Sequence, residues 1–141
     1  MIKSSKNGFS LIEMLVVISV LAMIITASLM SFVRLRAMAR DSIRLTHITQ
    51  LQTALRAYYR DWGVYPASLA AGQSLASSTT TYLQEVPTMP KPIDGNCAAT
   101  STYEYYQDNS GASYHIVFCL GDQTSDVPKG LNTATPNGIK N

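Results

Sequence analysis

Gly8-Phe9-Ser10-Leu11-Ile12-Glu13-Met14-Leu15-Val16-Val17-Ile18 is the stretch on which the reading of the whole chain turns. A short polar leader carrying Lys3 and Lys6 precedes it, and an apolar run follows it as far as Val33. Between Phe9 and Val33 the only charged residue is Glu13. At ~1.5 Å per helical residue, a run of this length covers a hydrocarbon layer of ~30 Å. Ser19, Thr26, Ser28 and Ser31 do not spoil it, because short hydroxyl side chains bond back to their own helix or lie between packed helices. A lone carboxylate just inside such a run is costly to place in lipid, so Glu13 is expected to have a role and a partner.

The helical pattern does not stop at the end of the run. Neither Gly nor Pro occurs between Phe9 and Asp61. Leu45, Ile48, Leu51, Leu55, Tyr58 and Trp62 recur at spacings of three or four, which predicts one apolar stripe on an otherwise polar helix. Gly63 is suited to the position after the last turn, and Pro66 follows where a helix cannot continue. The chain thus divides into a leader (1–8), an apolar helix (9–33), an amphipathic continuation (34–62) and a head (63–141).

In the head, residues 64–96 read as a loop with one short helix near Thr80–Gln84, since Pro87, Pro90 and Pro92 break anything longer. Tyr103–Gln107 and Ser113–Leu120 read as a β-hairpin, about 103–120, around the turn formers Asp108-Asn109-Ser110-Gly111. Tyr114, Ile116 and Phe118 alternate with His115, Val117 and Cys119, and one of these faces is expected to cover the helix stripe. Beyond Gly121 the sequence offers little for a core and is expected to be an irregular C-terminal tail, wrapped or loose. The expected fold class is α+β.

Without Lys3 and Lys6, nine basic residues balance nine acidic ones, which excludes a strongly basic nucleic-acid binder. The distribution is uneven. Six arginines lie between Arg34 and Arg60 against Asp41, whereas from Asp61 onward three lysines face seven acids. A basic stem and an acidic head suit charge pairing between packed copies, with Arg34–Arg44 meeting acids of a neighbour; both are equally readable as solvated surfaces.

The stretch around Gly8 resembles the class III signal of type IV pilins and type II secretion pseudopilins: a short basic leader, Gly at the cut, Phe as first mature residue, then Ser-Leu-Ile-Glu and an aliphatic run. The resemblance is specific from Lys6 to about Ala27. It implies a pilin-like α+β protein, cleavage after Gly8 by a prepilin peptidase, methylation of the Phe9 amine, and retention of the hydrophobic helix. It implies a single-pass inner-membrane protein, N-terminus in and C-terminus out, handed to an inner-membrane assembly platform. The partners are then lipid, copies of itself and related pilins. Glu13, on the same helical face as Phe9, would supply the counter-charge for a neighbour's terminal ammonium. The proline that many type IV pilins carry within this run is missing here. That absence and the short head lean toward a pseudopilin; a disulfide near the C-terminus leans toward a pilin.

Given a head outside the cytoplasm, Cys97 and Cys119 read as a disulfide, with two buried free thiols as the alternative. His47 and His115 have no spacing that suggests zinc. Asp122 and Asp126 resemble part of the loop in which some major pseudopilins hold calcium, but no dense acidic loop is present, and no metal or cofactor is expected. Tyr58, Tyr59, Trp62 and Tyr65 read as packing under the sheet; a platform for single-stranded DNA would need basic neighbours they lack. No nucleophile–base pair is signposted, so an enzyme is not expected. The rival is a secreted binding module, cut after Ala39 at Ala37-Met38-Ala39. The expected function is a structural filament subunit, with a pseudopilin of a secretion or DNA-uptake system as its alternative.

Overall fold

The computed structural model describes residues 10–141, apart from the side chains of 27–31. Gly8 and Phe9, the expected processing site, and the leader lie outside the described residues. Helix α1 spans Leu11–Trp62 without interruption. The chain divides into two compact units, Met1–Arg36 and Ala37–Asn141, each taken here by itself.

In the first unit the apolar side chains of α1 are open to solvent on all sides: Leu11 is 83% exposed, Val17 47% and Ile25 58%. The Ser19 hydroxyl donates to the Val16 carbonyl at 2.7 Å, as a hydroxyl in an apolar helix should. Among the described residues no helix is long and apolar enough to cross a membrane. Phe9 and the side chains of 27–31 are outside the described residues, so the expected membrane span of 9–33 lies partly outside them.

In the second unit α1 carries the predicted stripe. Ile48, Leu51, Ala54 and Leu55 are buried. The helix stops at Gly63, whose φ of +70° suits a residue without Cβ and whose N–H donates to the Tyr59 carbonyl at 2.7 Å. Trp62 departs from expectation. It is 52% exposed, and its indole N–H donates to the Tyr82 hydroxyl at 3.1 Å. The buried aromatic position is Tyr65, stacked on Tyr59 and edge-on to Tyr114.

Six strands follow: β1 (Leu75–Ala76), β2 (Thr81–Leu83), β3 (Glu104–Asp108), β4 (Ser113–Leu120), β5 (Gly130–Thr135) and β6 (Gly138–Lys140). β1 and β2 form a small antiparallel pair. The short helix expected near Thr80–Gln84 is therefore the strand β2, where β-branched Thr81 pairs with Ala76 and the Tyr82 ring packs edge-on to Tyr58.

The remaining strands make one antiparallel sheet in the order β3-β4-β5-β6. The hairpin is where the sequence puts it, with Tyr105 opposite Ile116 and Asp108 opposite Ser113. Tyr114, Ile116, Phe118 and Leu120 join the helix stripe in one core. The expected irregular tail is corrected: β5 and β6 complete the sheet. Asn132 and Ala134 of β5 are buried and Ile139 of β6 packs against the core, while Leu131 is 66% exposed. The ladder to β4 holds β5 in place, and Gln52 on α1 donates to the Thr135 carbonyl at 2.8 Å.

Candidate assembly segment and the charged clasp of the head

Two places carry chemistry, one in each unit. In the first, Glu13 lies in the opening turn of α1, where a carboxylate favours the helix dipole. Its backbone N–H and that of Met14 both donate to the Ser10 carbonyl, at 3.0 and 3.2 Å. Around it Leu11, Ile12, Met14 and Leu15 are each more than half exposed. The arrangement is one acid at the head of an uncovered apolar helix. At the far end of this unit the Arg36 guanidinium lies 4.4 Å over the Phe32 ring.

Residues 3–29 match the prokaryotic N-terminal methylation motif. The motif is the signal carried by type IV pilins and pseudopilins, and it takes in Gly8, Phe9 and Glu13. No curated protein and no solved structure matches the chain. The methylation motif is thus the sequence likeness on which a functional reading rests, and the head must be read from its own geometry.

That geometry centres on four charged residues. Asp41 and Arg44, one turn apart on α1, are fully buried. Arg44 donates to the Asp41 carboxylate through Nη1. Through Nη2 it donates to the Pro90 and Pro92 carbonyls at 3.1 and 3.2 Å, and it lies 3.4 Å from Asp94 Oδ2. The two oxygens of Asp41 also accept the backbone N–H groups of Gly121 and Asp122, at 3.1 and 2.9 Å. Arg40 grips Asp94 with two parallel bonds, Nε to Oδ2 at 2.7 Å and Nη2 to Oδ1 at 2.6 Å. Bidentate pairing of this kind is among the strongest neutral-pH contacts a carboxylate makes. The Arg40 bonds hold the Asp94 carboxyl below its usual range.

The clasp fastens two separate loops, 90–94 and 121–122, to one turn and a half of helix. The Cys97–Cys119 disulfide ties the chain just after the first loop to the buried end of β4 just before the second, with the Cα atoms 5.9 Å apart. The loops also touch backbone to backbone. A Cβ on Gly95 would sit 2.1 Å from the Gly121 carbonyl oxygen, and one on Gly121 would sit 2.6 Å from Asp94 Cβ.

This geometry revises the charge-pairing expectation. Arg40 and Arg44 were expected to meet acids of a neighbouring copy; both are engaged within their own chain. Asp41 was not singled out, although Arg40-Asp41 followed by Arg44 places opposite charges at helical neighbour spacing, which is the signal available. The loop of Asp122 and Asp126 serves the clasp through its backbone, and among the described residues no group of three or more His, Cys, Asp or Glu could hold a metal ion. His47 meets the Tyr103 hydroxyl at 3.1 Å, and partial burial lowers its pKa. His115 lies in the sheet, pairs with Asp108 at 2.8 Å and stacks on Tyr106.

Proposed function

We propose that the chain is a structural subunit of a type IV pilus-like filament. It is cut after Gly8, methylated on Phe9, held in the inner membrane by the 9–33 helix with its head outside, and then stacked by an assembly platform. Polymerisation buries the apolar helices against one another, and Glu13 of one copy neutralises the Phe9 ammonium of the next. An unpaired charge in such a core costs several kcal/mol, so this contact fixes register. The observation that carries the reading is the methylation motif over residues 3–29. Support comes from the uncovered apolar face of α1, which is far larger than a monomer in water leaves open.

A module released by cutting after Ala39 is less well supported. Ala37-Met38-Ala39 lies inside continuous helix, whereas a peptidase needs extended chain. Intact mass of the exported protein distinguishes the two: a methylated Phe9 start is expected, and an Arg40 start overturns the proposal. Imaging of cells with Glu13→Ala should show loss of filaments, and unchanged filaments would remove Glu13 from its role. A pseudopilin shares every step, and differs in that its loss stops protein secretion without removing surface fibres.

A further inference from the structure

We infer that the Cys97–Cys119 disulfide and the Arg40–Asp41–Arg44–Asp94 clasp are one redox-dependent latch, in which bond formation between the cysteines delivers Asp94 to the two arginines. Asp94 lies three residues before Cys97, and Gly121 two residues after Cys119. Between those anchors the backbones of 94–95 and 121 are in van der Waals contact, with no side chain to separate them. The disulfide therefore fixes the Asp94 carboxylate and the Gly121 and Asp122 amides as a single piece. That piece offers the helix one acceptor and two donors, and α1 answers with Arg40, Arg44 and Asp41.

Opening the bond frees the stretch from Pro90 to Cys97, which no named strand contains. Its hold on the rest of the head is then the charged contacts and the packing of Ile93 against the core. Those contacts must then also order the stretch that carries Asp94, and that entropy cost offsets part of what the bidentate pair contributes. Arg44 then faces water rather than the Pro90 and Pro92 carbonyls. Reduction by a dithiol breaks the Sγ–Sγ bond. The two electrons and two protons come from the dithiol, which leaves as its own disulfide, and closure by a disulfide oxidant is the reverse. Under the filament proposal the latch closes only once the head has left the cytoplasm. That corollary rests on the filament reading; the latch itself does not.

Coupling of this kind is reciprocal: whatever factor the bond adds to the clasp, the clasp adds to the bond. The test is the full-length chain in detergent, equilibrated against dithiothreitol redox buffers. Asp94→Asn is expected to lower the equilibrium constant for disulfide formation about tenfold. Arg60→Gln, which touches only the exposed Arg60–Asp61 pair, should leave it unchanged. A constant for Asp94→Asn within about twofold of the native value overturns the latch. A second measurement needs no substitution. On reduction, hydrogen exchange at the Gly121 and Asp122 amides should quicken about tenfold or more while the β3–β4–β5 ladder stays protected. Equal loss at both places means general destabilisation, and overturns the latch even where filaments form as proposed.

Discussion

Asp41→Ala is the substitution to which the head should be most sensitive. The carboxylate is fully buried and serves three donors: Arg44 Nη1 and the amides of Gly121 and Asp122. Removing one partner of a buried ion pair costs about 3–5 kcal/mol, because the remaining charge stays in low dielectric. Each amide left without an acceptor adds about 1–3 kcal/mol if it stays dry, but the loop can open to water, so the pair loss sets the scale. Unfolding entropy near 2.1 cal/mol/K per residue over the unit Ala37–Asn141 converts that range into a Tm fall of roughly 14–23 °C. Thermal circular dichroism of the full chain in detergent measures it. Asp41→Leu combined with Arg44→Met removes both charges and should recover more than half of the loss. A fall of less than about 4 °C for Asp41→Ala would mean that Arg44 is solvated, and the clasp would be surface decoration.

Four further outcomes are expected. Replacing both cysteines with serine should lower stability by ~3 kcal/mol, the chain-entropy value for a sequence separation of 22, read as a shift of the urea midpoint in oxidising buffer. Gly121→Ala should destabilise the head and expose Arg40, since its Cβ meets Asp94 Cβ and carbonyl at under 3 Å; unchanged unfolding would show that the loops slide apart freely. Leu51→Ala, at the centre of the core, should cost about 2–5 kcal/mol in chemical denaturation without preventing export. Acid should destabilise the head in two stages. The folded His47 has its pKa below the ordinary 6.5, so the unfolded chain binds more protons and stability falls as pH drops below about 6.5. Asp94, held below the ordinary 3.8, contributes stability that is present above that value and lost only as pH falls through its lowered folded pKa. His47→Gln should abolish the upper stage and keep the lower; a native chain lacking the upper stage would contradict the His47 assignment, and one lacking the lower would contradict that of Asp94.

What could be read from the sequence follows from where each signal is stored. The helix and its stop were legible because they are local: apolar spacing from Leu45 to Leu55, and a glycine whose positive φ ends the ladder at Gly63. The hairpin was legible because Tyr114, Ile116 and Phe118 alternate strictly and flank turn residues. β5 and β6 were not, because their cohesion is largely backbone ladder: β5 buries only Asn132 and Ala134, β6 adds Ile139 alone, and three such residues do not read as a core pattern. Pro136-Asn137-Gly138 after Thr135 was nonetheless a turn signal, a cluster of turn formers at the point where β5 gives way to β6. β2 was misread because a Thr-Tyr-Leu triplet has no period of its own; its strand state comes from pairing with β1.

The clasp shows the deeper limit. A charged residue on an amphipathic helix defaults to solvent, and nothing in Arg40, Asp41 and Arg44 alone distinguishes a surface pair from a buried one. The distinguishing information lies some fifty and eighty residues away, at Asp94 and Gly121, and it reads as charge only at the first. At the second it is two bare amides and a missing side chain. Burial of Arg44 follows once all three segments meet, because both its terminal nitrogens then find partners within the fold, while Nε is left without one. The same reasoning bears on assembly. Arg40 and Arg44 are engaged inside the chain and are not available for charge pairing between copies under the filament proposal. Charge reversal at Arg40 should therefore weaken the head itself, and normal head stability in Arg40→Glu would show that its bonds to Asp94 are dispensable.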